Sequence, residues 1–220
     1  MMTAEQLTQA KPPDRITLGM IAPDFEAKTT QGDVKLSDYK GKWVILFSHP
    51  GDFTPVCTTE FIALARKYDE FRKRNVELLG LSVDSLTAHI AWIRDIEANF
   101  SVRIPFPIIE DLDTTVCRLY GMIHPQVSHI SPVRSLFIID PNRVVRMMFF
   151  YPPGVGRNSD EIIRIIDGLQ LVSEKKVVTP ADWKPGDPVL IKPPHTQSGA
   201  DDRLKEGYDC KTWYLCYKKL

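Results

Sequence analysis

Ser48-His49-Pro50-Gly51-Asp52-Phe53-Thr54-Pro55-Val56-Cys57-Thr58-Thr59-Glu60 places one cysteine where a strand hands over to a helix. The run before it, Trp43-Val44-Ile45-Leu46-Phe47, is continuously apolar and suits a strand buried on both faces. After it, Phe61, Leu64, Ala65, Tyr68 and Phe71 recur at helical spacing. Cys57 is therefore predicted in the first turn of a helix. Unpaired backbone N–H groups and the positive end of the helix dipole favour a thiolate there, and the thiolate is the reactive form of cysteine. Thr54 lies three residues before Cys57 and Pro50 seven before it.

Outward from this stretch, strand and helix signals alternate. Val76 to Asp84 reads as a buried strand. Ser85 can cap a helix whose apolar residues are Leu86, Ile90, Ile93 and Ile96. Phe106-Pro107-Ile108-Ile109 is a short strand candidate, and Asp113 to Tyr120 a short helix ended by Gly121. Ser135 to Asp140, the turn Pro141-Asn142 and Val144 to Tyr151 read as a hairpin. A helix then starts at Ser159 or Asp160, with Ile162, Ile163, Ile165, Ile166 and Leu169 apolar. This order predicts an α/β fold, a central mixed sheet flanked by helices. Residues 1 to about 15 read as a loose arm. Beyond about residue 173 the periodicity fades and five prolines fall between Pro180 and Pro194. A main domain over 16–172 and a smaller C-terminal module over 173–220 are expected. The tail has few apolar residues for a core of its own, so it is expected to pack on a neighbouring subunit.

Composition bounds the function. Lys+Arg and Asp+Glu balance at 28 each, which argues against nucleic acid or anionic membrane as the main partner. Met1 to Asp14 is polar and does not read as a signal peptide, and no apolar run approaches the ~20 residues that span a bilayer. Four cysteines (Cys57, Cys117, Cys210 and Cys216) without a secretory signal predict a reducing cytoplasm.

Pro50-x-x-x-Thr54-x-x-Cys57 resembles the peroxiredoxin active-site motif, and Ser48 to Glu60 resembles the 1-Cys, peroxiredoxin-six-like subfamily. The resemblance extends to the tail, where Thr179 to Asp187 is similar to the C-terminal region of that subfamily. It implies a thioredoxin-like fold and a thiol-dependent peroxidase that reduces hydrogen peroxide and small alkyl hydroperoxides through a cysteine sulfenic acid. It implies Cys57 as nucleophile, Arg134 as its cation, and Glu60 and Arg157 as residues that orient Arg134 and the loop. Thr54 supplies a hydroxyl that can both accept and donate, and Pro50 shields the site without adding a donor. His49 adjoins the motif, as in the subfamily, and is a candidate for binding or protonating peroxide. Sulfur carries the redox chemistry, so neither cofactor nor metal is implied. Cys117 has no such company and reads as structural; His89, His124 and His129 read as ordinary polar or partly buried residues.

Cys210 and Cys216 depart from a strict 1-Cys pattern, and the ending Cys-Tyr-Lys-Lys-Leu resembles archaeal-type members. That resemblance implies Cys210 as the resolving residue, with Cys216 secondary. A packed anchor, a local disulfide and, less readily, a metal site remain open for the pair. The family also implies a thiol reductant such as a thioredoxin-like protein or a small thiol, and homodimers that assemble into decamers. The stretch Gln31 to Trp43 does not make a G-x-S-x-G element, so no phospholipase activity is expected. A redox sensor or ring-forming holdase on the same fold is the competing reading, and turnover with a thiol separates it from an enzyme.

Overall fold

The computed structural model describes residues 15–220. The expected N-terminal arm and the reading of Met1 to Asp14 lie outside the described residues, apart from position 15. Two compact units divide the chain, the first ending at Arg157 and the second running Asn158–Leu220.

The first unit is built on a seven-stranded mixed sheet. Its strands in chain order are β1 (Glu26–Thr29), β2 (Gly32–Lys35), β3 (Trp43–Ser48), β4 (Val76–Ser82), β5 (Ile108–Glu110), β6 (Arg134–Ile139) and β7 (Val145–Tyr151), and they lie side by side as β2-β1-β5-β4-β3-β6-β7. β3 and β4 run parallel and β6 returns antiparallel along the other edge of β3. Every residue of β3 and of β6 is buried, the apolar runs Trp43 to Phe47 and Leu136 to Ile139 as their character requires, and Ser48, Arg134 and Ser135 with them. The helices are α1 (Pro55–Arg66), α2 (Tyr68–Lys73), α3 (Leu86–Phe100) and α4 (Thr115–Leu119).

The two faces of β3 bury different sets. Val44 and Leu46 join Leu79, Leu81, Phe137, Ile139, Tyr120 and Cys117 in one apolar cluster. Phe47 points the other way and packs on Phe61 of α1 and on Phe106, with ring centroids 5.4 and 5.8 Å apart. Gly80 of β4 lies under this aromatic group. A Cβ there would come within 3.1 Å of the Phe61 ring, tighter than ordinary contact, so glycine admits the close approach of helix and sheet without the ring having to give.

The hairpin of β6 and β7, the Ser85 cap on α3 and the end of α4 before Gly121 (φ 63°) follow the sequence reading. Two features differ from it. The β1–β2 hairpin is absent from the reading because its strands are short and polar. In α3 the buried residues are His89, Trp92 and Ile96, whereas Ile90 is exposed. The helix is rotated from the face its aliphatic residues suggest, because Trp92 brings more apolar area to the core than Ile90 does.

The second unit holds α5 (Ser159–Lys175), capped by Asn158, then α6 (Gln197–Arg203) and a three-stranded antiparallel sheet of β8 (Val189–Leu190), β9 (Asp209–Thr212) and β10 (Leu215–Lys218) in the order β8-β10-β9. Val177, Trp183 and Val189 are buried together, with Leu171 and Ile191 against them. The tail thus has a small core of its own, contrary to expectation. Trp183 is its largest side chain, and its indole N–H is satisfied by the Asp187 carbonyl.

Candidate active site

Chain topology assembles the site. The C-terminal end of β3 lies beside the N-terminal start of β6, with Phe47 opposite Leu136. Residues just after β3 therefore meet residues that open β6. Helix α1 begins at Pro55, whose fixed φ and missing N–H suit the first helical position. Thr54 is its extended N-cap residue, and Cys57 falls in its first turn as predicted. Phe53, just before Thr54, takes a left-handed φ of 55° and leaves its side chain exposed, a strained position for a bulky residue that nothing in the sequence announced.

Cys57 is fully buried. Arg134 Nη1 donates to its sulfur at 3.3 Å, a contact that strengthens as sulfur gains negative charge. The same nitrogen donates to Glu60 Oε2 at 2.8 Å, and Arg134 Nε donates to the Pro153 carbonyl at 2.8 Å. Arg157 completes the frame. Its backbone N–H and its Nε donate to Glu60 Oε1 at 2.7 and 2.8 Å, Nη2 donates to Glu60 Oε2 at 2.8 Å, and Nη1 donates to the Ser135 carbonyl at 2.8 Å. Its guanidinium also lies over the Phe47 ring, 5.2 Å from the centroid. The side chains of Arg134, Glu60 and Arg157 are each 3 % exposed, so these contacts are barely screened by water. Burial alone would raise the Glu60 pKa; the Arg157 and Arg134 guanidiniums outweigh it and hold the carboxyl below its ordinary range.

The other predicted residues take varied positions. Thr54 Oγ1 donates to the Gly51 carbonyl at 2.8 Å and bridges the two ends of the loop. His49 is fully buried, stacked on Trp92 at 5.1 Å and edge-on to Phe61 at 4.8 Å. Burial holds its pKa below the ordinary histidine value. Cys117 sits in the opposite cluster, where burial, with the Asp111 carboxylate nearby, pushes its thiol far up and leaves it inert. In the second unit Cys210 and Cys216 face each other on β9 and β10 and form a disulfide, one of the possibilities the sequence left open.

Sequence reasoning missed two residues. His89 Nδ1 lies 2.8 Å from Asp52 Oδ2, and His49 Nε2 lies 2.8 Å from Asp52 Oδ1. His89 is as buried as His49. Asp52 stood inside the quoted motif, and a histidine in an apolar helix stripe was the available signal for His89. Ligand atoms of the three lie within 4.8 Å of one another, so among the described residues they are a group able to hold a metal ion.

A mixed α/β sheet that buries a helix-start cysteine against an arginine–carboxylate frame defines a thiol-redox site. Comparison with known proteins carries this further. Residues 18–148 match the AhpC/TSA family, and residues 168–207 match the C-terminal domain of 1-Cys peroxiredoxin. The chain is 57% identical over 205 residues to Peroxiredoxin 2 of Caldanaerobacter subterraneus subsp. tengcongensis, covering 92% of this chain and 93% of that one. A structure of yeast mitochondrial 1-Cys peroxiredoxin, described with a thiol resolving mechanism via glutathione/thioredoxin systems, aligns with TM-score 0.82 and 42% identity over 93% of this chain and 100% of the other. A Cys-to-Ser mutant of the Peroxiredoxin 6 of Arenicola marina aligns with TM-score 0.81 and 38% identity, covering 93% and 98%. The chain belongs to the peroxiredoxin family, with the thioredoxin-like fold and the thiol-dependent peroxidase activity that define it. Its substrates are accordingly hydroperoxides and its reductant a thiol. Cys210 and Cys216 lie beyond the residues matched by the C-terminal model. No helix among the described residues is long and apolar enough to cross a membrane.

Proposed function

We propose that Cys57 is the peroxidatic nucleophile, in the domain formed by residues 16–172, and that Cys210 of the C-terminal module, residues 173–220, resolves it. The observation that carries the first half is the 3.3 Å contact from Arg134 Nη1 to Cys57 Sγ. The Cys57 thiolate attacks one oxygen of R–O–O–H. An S–O bond forms, the O–O bond breaks, sulfur is oxidised to sulfenic acid, and the other oxygen leaves and takes up a proton to become R–O–H. Arg134 stabilises the negative charge on sulfur and on the departing oxygen. Glu60 and Arg157 hold Arg134 in place, Thr54 offers its hydroxyl to peroxide, Pro50 keeps competing donors away, and His49, which adjoins the motif, helps bind or protonate peroxide.

The Cys210 thiol then condenses with the sulfenic acid, releasing water and leaving a Cys57–Cys210 disulfide. Attack by the Cys216 thiolate on the Cys210 sulfur frees the Cys57 thiolate and leaves Cys210–Cys216, the pair observed on β9 and β10. A thioredoxin-like protein or a small thiol reduces that last bond. Cys57 is fully buried, so the first turn of α1 must open for the tail to reach it. The protein works in the cytoplasm as an antioxidant, as a homodimer that assembles into a decamer.

Intact mass and non-reducing electrophoresis after one equivalent of peroxide on the fully reduced protein test this reading. A disulfide-linked dimer containing the Cys57 and Cys210 peptides supports resolution between subunits. A monomer with sulfenic or sulfinic acid on Cys57 and untouched tail thiols assigns a 1-Cys mechanism and removes Cys210 from the cycle.

A further inference from the structure

Proton bookkeeping around Asp52 gives a result that neither the motif nor the Cys57–Arg134 contact requires. His89 Nε2 lies 3.1 Å from the Ile109 carbonyl oxygen, which can only accept, so that nitrogen carries a proton. The other nitrogen of the same ring, Nδ1, lies 2.8 Å from Asp52 Oδ2. A neutral imidazole protonated at Nε2 has a lone pair at Nδ1, and that lone pair would then face a carboxylate lone pair. One proton must therefore lie between them, on Nδ1 or on Asp52 Oδ2. The second oxygen of Asp52 accepts from His49 Nε2 at 2.8 Å. His49 Nδ1 is buried with no hydrogen-bond partner among the described residues, so His49 needs no second proton.

The surroundings are consistent with one carboxylate neutralised inside the cluster. Asp84 Oδ2 is occupied by the Asp52 backbone N–H and the Ser82 hydroxyl, and does not supply the missing proton. Asp52 is 2 % exposed at its side chain, so water cannot neutralise it either. Burial would raise the Asp52 pKa, but hydrogen bonds from His49 and His89 outweigh it and keep the carboxyl below its ordinary range.

We propose that His89 is a positioning residue of the peroxidatic site: it fixes Asp52, whose second oxygen locks His49 with its proton on Nε2 and a bare lone pair at Nδ1. His49 is thereby presented in one tautomer and one orientation, with Nδ1 ready to accept a proton or hydrogen bond. A histidine without this partner would partition between two tautomers, and only one offers an acceptor at Nδ1. The inference rests on His49 taking part in peroxide chemistry, and its test separates the two claims.

Neutron crystallography of the perdeuterated, reduced full chain near neutral pH reads the arrangement directly. Deuterium on Nε2 of His89, between His89 Nδ1 and Asp52 Oδ2, and on Nε2 alone of His49 is the expected result. Deuterium on Nδ1 of His49, or a metal ion between the side chains, overturns it. The functional half is read by stopped-flow tryptophan fluorescence of Cys57 oxidation. His89→Leu is expected to slow oxidation about tenfold, as loss of an orienting partner does elsewhere. His89→Asn, whose amide can still donate to Asp52, is expected to recover part of that loss. In a His49→Gln background the His89→Leu effect should vanish. An undiminished effect there makes His89 merely structural and overturns the proposal. A wild-type rate in His49→Gln alone removes His49 from the reaction, and with it this role of His89, while leaving the Cys57–Arg134 reading intact.

Discussion

Glu60→Gln is the substitution with the largest effect readable from the geometry. The two carboxylate oxygens accept four hydrogen bonds, all from Arg134 and Arg157: Oε1 takes the Arg157 backbone N–H and Nε–H, and Oε2 takes Arg134 Nη1–H and Arg157 Nη2–H. Glutamine keeps one oxygen and replaces the other with an amide NH₂. Whichever way the amide is turned, two of the four donors then face another donor. A hydrogen bond to a charged group contributes about 1.5–3 kcal/mol, so losing two costs about 3–6 kcal/mol, and breaking a buried ion pair from one side costs a similar ~3–5 kcal/mol. We expect destabilisation near ~4 kcal/mol, about a thousandfold in the folding equilibrium. Urea denaturation of reduced protein at matched concentration measures it, since a dimer or larger assembly makes the midpoint concentration-dependent. The acid limb gives a second reading. Glu60 has a folded pKa lowered from 4.5, so its stabilisation is complete above the unfolded carboxylate range and is lost as pH falls through the lower folded value. That stretch of acid sensitivity should be missing in Glu60→Gln. A loss under ~1 kcal/mol, with the acid limb unchanged and Cys57 oxidising at the wild-type rate, would refute the role of Glu60 as the hub of the frame.

Arg134→Lys keeps the charge but cannot reach sulfur, Glu60 and the Pro153 carbonyl together; peroxide oxidation of Cys57 should slow by roughly 10²-fold, and a rate within a factor of about two of wild type would take Arg134 out of the reaction. Gly80→Ala pushes a methyl to 3.1 Å from the Phe61 ring and should cost about 1–3 kcal/mol in a denaturation curve; an unchanged midpoint would show that α1 yields freely. Cys117 should resist alkylation in the folded protein, because burial and Asp111 push its thiol up, and Cys117→Ala should leave the peroxide rate constant unchanged; rapid native labelling would contradict its inert placement.

The chain showed in advance what local chemistry dictates. The β3 run and Cys57 in the first turn of a helix are consequences of neighbours in sequence, and the structure has both. Arg134 could be reached only through the family resemblance. It lies 77 residues beyond Cys57, and the β3–β6 register, which no pattern in either segment specifies, brings the two together. The same limit applies to the tail. β9 and β10 are four residues each, with charged and polar side chains among the apolar ones, so neither offers enough alternation to be read as a strand.

Helix α3 shows the limit in another form. Read by aliphatic periodicity, it presents Leu86, Ile90, Ile93 and Ile96 to the core; folded, it buries His89 with Trp92 and Ile96. Trp92 turns this face inward, and the imidazole buried beside it would cost free energy were its nitrogens not satisfied by Ile109 and Asp52. An apolar residue would fill position 89 without needing either partner. The same holds for Ser48, His49, Glu60 and Arg134, all buried, polar and gathered around the ends of β3 and β6 or the first turns of α1. Here polar groups are gathered where apolar ones would be cheaper, as folding alone does not require, and they surround Cys57.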